Sequence, residues 1–102
     1  MEFAGFEWDS GNRNKCQKHG ISIVEIESVF DRPVLILPDK ENPRGERRFR
    51  AIGGTKEGRN AFVVFTLRQH GRSKLLRPLS ARYMHEKEVR NYEKTYLSLI
   101  HI

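Results

Sequence analysis

With Cys16 as its one cysteine, the 102-residue chain has no internal disulfide framework to build, which excludes a bridge-stapled secreted scaffold. A reducing, cytoplasmic setting fits best. Long apolar runs are missing as well. None approaches the roughly 20 residues that span a bilayer, so no membrane helix is expected. The start of the chain carries Glu2, Glu7 and Asp9 where a signal peptide would carry a basic segment and an apolar run, so none is expected. His19, His70, His85 and His101 are scattered, and no paired ligand spacing accompanies them. A zinc-cysteine site is therefore excluded, and neither metal nor cofactor is expected. Gly53, Gly54 and Gly58 read as a turn rather than a phosphate loop, and no Gly-x-Ser-x-Gly elbow supports serine hydrolysis.

What the chain does have is an ordinary globular composition and an uneven charge. Its 37% hydrophobic and 31% charged residues place it away from disorder, and its length suits one domain spanning 1–102. The net charge of +6 is concentrated in the middle. From Arg44 to Arg82 eleven Lys and Arg face two acids, Glu46 and Glu57. From Ile21 to Pro43 five acids face two bases, and the remaining segments are neutral. A basic middle on a balanced chain suggests a polyanionic ligand, nucleic acid first, although a solvated charged face would read the same way. Arg47, Arg50, Arg68 and Lys74 are the expected RNA-binding cations of this segment.

Local patterns give an element order. Phe3 to Trp8 reads as a short strand with Phe6 and Trp8 on one face. Asp9 or Ser10 can cap a helix that runs to about His19 and stops at Gly20. Ser22 and Glu25 form a capping box, and Ile21 with Ile26 a hydrophobic staple, for a second helix over about 23–31 that Pro33 terminates. Four strands follow at 34–37, 47–53, 61–68 and 74–82, and short Gly-containing loops between them favour antiparallel hairpins. The third of these is apolar on both parities, which predicts a central strand covered on both faces. Pro78 lacks an amide donor and predicts an edge or a bulge in the fourth. Val89, Tyr92, Tyr96 and Leu99 recur at helical spacing, so a closing helix over 86–98 should lie on the sheet. The apolar tail Leu97–Ile102 has no role legible in the sequence. The result is an α+β domain: a mostly antiparallel sheet of four to five strands, two N-terminal helices and one C-terminal helix.

The groups able to do chemistry are bases with a few acid/base candidates. Lys18 and His19 sit at a predicted helix C-terminus, where the dipole favours a protonated imidazole but where a histidine is more often a plain cap than a catalyst. Arg48 and Arg50 share one face of their strand, with Phe49 and Ala51 on the other. Arg77, Ser80 and Arg82 lie on the last strand; Ser80 and Arg82 share a parity that Arg77 joins only if a bulge near Pro78 re-aims it. Such parts suffice for RNA backbone cleavage: a base for the 2′-hydroxyl, cations for the crowded phosphorane and a proton for the leaving oxygen. They equally suit a non-catalytic RNA- or DNA-binding module, or a surface that meets an acidic partner.

Phe6-Glu7-Trp8-Asp9, then Lys15, then Lys18-His19-Gly20-Ile21-Ser22, resembles the amino-terminal signature of the BrnT family of type II toxins. Glu25 and Phe30-Asp31-Arg32-Pro33 continue the likeness. Gly45-Glu46-Arg47-Arg48-Phe49 is similar to the family's second block, and Arg77 to Arg82, with Glu88 and Tyr92, to its last. The likeness covers about residues 6–96. Two departures are a first helix one residue shorter than the commonest form and Asn12 where many members carry Lys, so Asn12 receives no role. The resemblance implies a fold similar to RelE-type ribonucleases, RNA cleavage that arrests growth, and a BrnA-like ribbon-helix-helix antitoxin. It implies a 2:2 complex with that antitoxin, through which alone operator DNA would be bound. It also raises Lys18, His19, Arg48, Arg77, Ser80 and Arg82 to catalytic candidates, while Trp8 and Phe49 remain core.

Overall fold

The computed structural model describes residues 2–40 and 44–100, with side chains to residue 94. The chain runs β1 (Gly5–Phe6), α1 (Ser10–Gln17), α2 (Ile23–Val29), β2 (Val34–Pro38), β3 (Phe49–Gly54), β4 (Asn60–His70), β5 (Ser73–Tyr83) and α3 (Glu86–Ile100). The expected α+β order is thus observed. The sheet order is β1-β5-β4-β3-β2, with β1 parallel to β5 and all other pairs antiparallel. No helix among the described residues is long and apolar enough to cross a membrane.

Strand register sorts the side chains into two faces. Ile36, Ala51, Val63 and Ala81 are cross-strand partners, and this row, with Ala61, Phe65 and Leu76, faces α1 and α2. There Cys16, Ile21, Ile26 and Val29 close over it, all essentially inaccessible. The alanines let the helices approach closely, and the bulk comes from Phe65. Its ring meets Phe30 edge-on with centroids 5.3 Å apart and stacks on Phe49 at 5.5 Å. Trp8 and Phe49 pack against this core as expected, and Trp8 Nε1 also donates to Glu27 at 2.9 Å.

The second face is more open than the pattern of β4 predicts. β4 is the central strand, but Phe62 and Val64 are only half-buried. Here α3 approaches the β2 side, leaving a cleft between Leu35, Leu37, Ile52 and Phe62 on the sheet and Glu88, Asn91 and Tyr92 on the helix. Apolar residues on both parities therefore mean a core on one side and a floor on the other. The Tyr96 and Leu99 side chains expected on the sheet, and the tail end 101–102, lie outside the described residues.

Both N-terminal helices start on the residues that their caps require. Asp9 accepts from the Asn12 amide at 3.0 Å, and Asn12 Oδ1 accepts from the Asp9 amide at 2.7 Å. The helix ends at Gln17, two residues short of the expected position, with Lys18 as its cap and Gly20 in the left-handed region at φ +90°. In α2, Ser22 Oγ accepts from the Glu25 amide, but the Glu25 carboxylate, rather than accepting from the Ser22 amide, accepts from the Ser22 hydroxyl at only 3.5 Å and from the Tyr83 hydroxyl at 2.6 Å. A tertiary partner outcompeted the local one.

Pro78 marks a bulge. Val64 pairs with Ser80 and Phe65 with Pro78, so Leu79 is the extra residue. Proline has no amide to lose there, and β1 flanks only Leu75 and Leu76, so among the described residues no strand covers the outer edge of β5 beyond them. Asn12 takes the buried Pro78 carbonyl. Its buried Nδ2 donates to Pro78 O and to Glu7 O, both at 2.9 Å. This residue, without a role in the sequence, ties α1 to the bulge, each bond contributing about 0.5–1.5 kcal/mol.

Candidate functional site

The bulge decides which side chains meet. Phe62, Val64 and the buried Thr66 share the second face of β4, and their β5 partners are Arg82, Ser80 and Arg77. Strict alternation would have sent Arg77 to the other side; the inserted Leu79 brings it round. The three residues therefore rise along one strand in successive rows about 7 Å apart, from a rise of ~3.3 Å per residue. Arg50 pairs with Val64 and joins the Ser80 row from β3.

His19 reaches this face from beyond the end of α1. With Phe62, Val64, Ser80, Ala81 and Arg82 it lines a shallow depression of about 280 Å³. Phe62 forms its floor, with the guanidinium carbons of Arg82 and Arg50 at 5.1 and 5.8 Å from the ring centroid. Low-polarity flooring strengthens the field of these cations at an anion above them. Arg50 also pairs with Asp39 at 3.6 Å. The Arg82 fork is occupied: Nη1 and Nη2 donate to the two Glu88 oxygens at 2.7 and 2.8 Å, the bidentate geometry that a phosphate would take.

Arg82, and then the His85 amide, hold the Glu88 carboxyl at about 2, below its ordinary 4.5. A carboxyl lowered on folding stabilises the fold above its unfolded value, and that contribution disappears as pH falls through the folded one. Thermal melts should therefore show wild type losing more stability than Glu88→Gln between about pH 4.5 and 2. Parallel curves would contradict the ion pair. Asp9 adds a loss of the same sign, since Arg77 lowers its carboxyl too.

A second cluster lies toward the β1 edge. Arg77, 14% exposed, donates to Glu7 at 3.1 Å and pairs with Asp9 at 2.9 Å. Asp9 first, and Glu7 after it, hold this guanidinium more firmly protonated than an ordinary arginine. Arg68 bridges Glu7 and Glu46 at 3.5 Å each, and His70 also bonds Glu7. The sequence reading missed Glu7 and His70. Alternation puts Glu7 opposite Phe6, but its neighbours depend on β1 pairing with β5, a contact 70 residues away.

A basic face of a sheet is common to many folds; the order of blocks along the chain is not. A family model described as "Ribonuclease toxin, BrnT, of type II toxin-antitoxin system" matches residues 8–88. The chain belongs to the BrnT family. The match runs from Trp8 to Glu88, inside the 6–96 of the sequence resemblance, and includes α1 through β5 and the start of α3. By that description BrnT chains are ribonuclease toxins of type II systems, which makes RNA the target and an antitoxin the partner. No curated protein matches this one.

Of the residues implied by the BrnT signature, His19, Ser80 and Arg82 meet in one depression, and Arg77 stands one row away on the same face. Lys18 is the exposed cap of α1 and does not line the depression with His19. Arg48, half-buried just before β3, shares by alternation the side of Arg50, and its Nε has no partner among the described residues. Of the expected RNA-binding cations, Arg50 and Arg68 belong to the open face. Arg47 and Lys74 line a groove with Phe49 and Leu67, on the side of the sheet that carries α1 and α2. One flat ligand could not touch all four. Among the described residues no group of three or more His, Cys, Asp or Glu could hold a metal ion.

Proposed function

We propose that this BrnT-family chain cleaves RNA endonucleolytically, without a metal ion, by attack of a 2′-hydroxyl on the adjoining phosphorus above Ser80. The observation that supports it most is the shared depression of His19, Ser80 and Arg82. An imidazole at the rim, a hydroxyl donor and an arginine fork over an aromatic floor are what in-line phosphate transesterification asks of side chains. His19 takes the 2′-hydroxyl proton; the 2′-oxygen bonds to phosphorus; the bond to the 5′-oxygen breaks, and that oxygen takes a proton from solvent. Arg82, exchanging Glu88 for the phosphate, and Arg50 stabilise the phosphorane, and the Ser80 hydroxyl donates to one of its oxygens. Lys18, Arg48 and the anchored Arg77 add fixed positive charge, while Arg47, Arg68 and Lys74 serve RNA strands that wrap beyond the open face.

The same reading gives the toxin a BrnA-like ribbon-helix-helix antitoxin in a 2:2 complex, binding of operator DNA only through that antitoxin, and a place in the cytoplasm. Purified protein freed of antitoxin should cut RNA as well in excess EDTA as without it. Cleavage restored only by Mg²⁺ or Mn²⁺ would overturn the metal-independent mechanism.

A further inference from the structure

A second recess, about 330 Å³, adjoins the depression and shares His19 and Arg82 with it; its other walls are Arg59, Tyr83, Met84 and His85. Arg59 comes from the turn between β3 and β4, and its guanidinium carbon lies 3.6 Å from the centroid of the Tyr83 ring. That platform is fixed from two sides. The Tyr83 backbone pairs with Ala61 in the sheet, and its hydroxyl donates to Glu25 at 2.6 Å. Among the described residues the Arg59 side chain makes no hydrogen bond or ion pair, whereas the guanidinium groups of Arg50, Arg68, Arg77 and Arg82 each meet a carboxylate.

Resting on the ribonuclease reading above, we infer that this recess binds a guanine base next to the cleaved phosphate, with Arg59 reading its O6 and N7. A guanidinium fork matches either two phosphate oxygens or the paired acceptors on that edge of guanine. The walls favour the base. The exposed rings of His19 and His85 are flat surfaces on which a base stacks beside the Arg59–Tyr83 stack, and stacking contributes strongly to single-strand recognition. Adenine would set its N6 donor against an arginine donor, and pyrimidines lack N7. Because His19 and Arg82 wall both recesses, a phosphate above Ser80 leaves the neighbouring base within reach of this one.

The test uses DNA oligonucleotides carrying a single ribonucleotide, so that one linkage alone can be cut, with each base in turn on either side of it. Wild type should cut about tenfold or more faster with guanine on one side than with any other base. Arg59→Ala should bring the guanine substrate down to the adenine rate, so that the preference is lost; Arg59→Lys, which has no fork, should not restore it. Titration with non-cleavable 2′-O-methyl oligonucleotides containing G or A repeats the comparison without chemistry. Equal loss on all substrates for Arg59→Ala would make Arg59 a phosphate contact and overturn the inference. Equal cleavage and equal binding of all bases by wild type would overturn it too. A chain that cuts nothing but binds G over A through Arg59 would keep this inference and sink the ribonuclease mechanism.

Discussion

His19→Ala should cut RNA roughly 100-fold more slowly or worse in single-turnover assays while melting almost as wild type does. The size follows from losing a base positioned for proton transfer. The unchanged melt follows from position: His19 is exposed beyond the last turn of α1, and exposed polar sites usually contribute within about 0.5 kcal/mol. Arg82→Ala should cost a similar factor in rate, because a fork that stabilises the phosphorane acts where charge develops. Its partner Glu88 is left without its cation but half-exposed, so water can take the vacated oxygens. An early melt with full specific activity in His19→Ala would reduce His19 to a helix cap, the role its position at the end of α1 also permits.

Phe65→Ala should do the reverse, destabilising the fold by about 3–5 kcal/mol and removing activity only through unfolding. Phe65 is fully buried at the middle of the central strand, and its ring is the one on which Phe30 and Phe49 converge. The flanking alanines Ala51, Ala61 and Ala81 cannot grow into the void. For a domain near 100 residues such a loss lowers Tm by tens of degrees, since each kcal/mol is worth about 4–8 °C. A variant that melts within a few degrees of wild type would mean that the helix face is not the core described.

The contrast between these two residues matches what a single sequence makes legible. Periodicity exposed Phe65, Ile26 and Val29, because burying an apolar face leaves a repeat in the chain itself. Caps and breakers set the helix starts, since Asp9 and Ser22 act on amides two or three residues away. Pro78 told of a bulge for a local reason as well, and that bulge settled the side of Arg77. Where the reading failed, the partner was distant. Glu25 gave its short bond to Tyr83, 58 residues on. Asn12 found Pro78 across 66 residues. Glu7, His70, Arg59 and His85 gained their settings only when the strands paired. The second parity of β4 was read as covered like the first because an apolar floor under two arginines has the same composition as a second core.

The central claim, 2′-hydroxyl attack above Ser80, is tested most directly by the ends that cleavage leaves. RNA digested by the antitoxin-free protein in EDTA and analysed by mass spectrometry should carry 2′,3′-cyclic phosphate or 3′-phosphate ends, with 5′-hydroxyl groups on the downstream fragments. Fragments bearing 5′-phosphates would mean that water, not the neighbouring hydroxyl, attacked phosphorus, and would contradict the account.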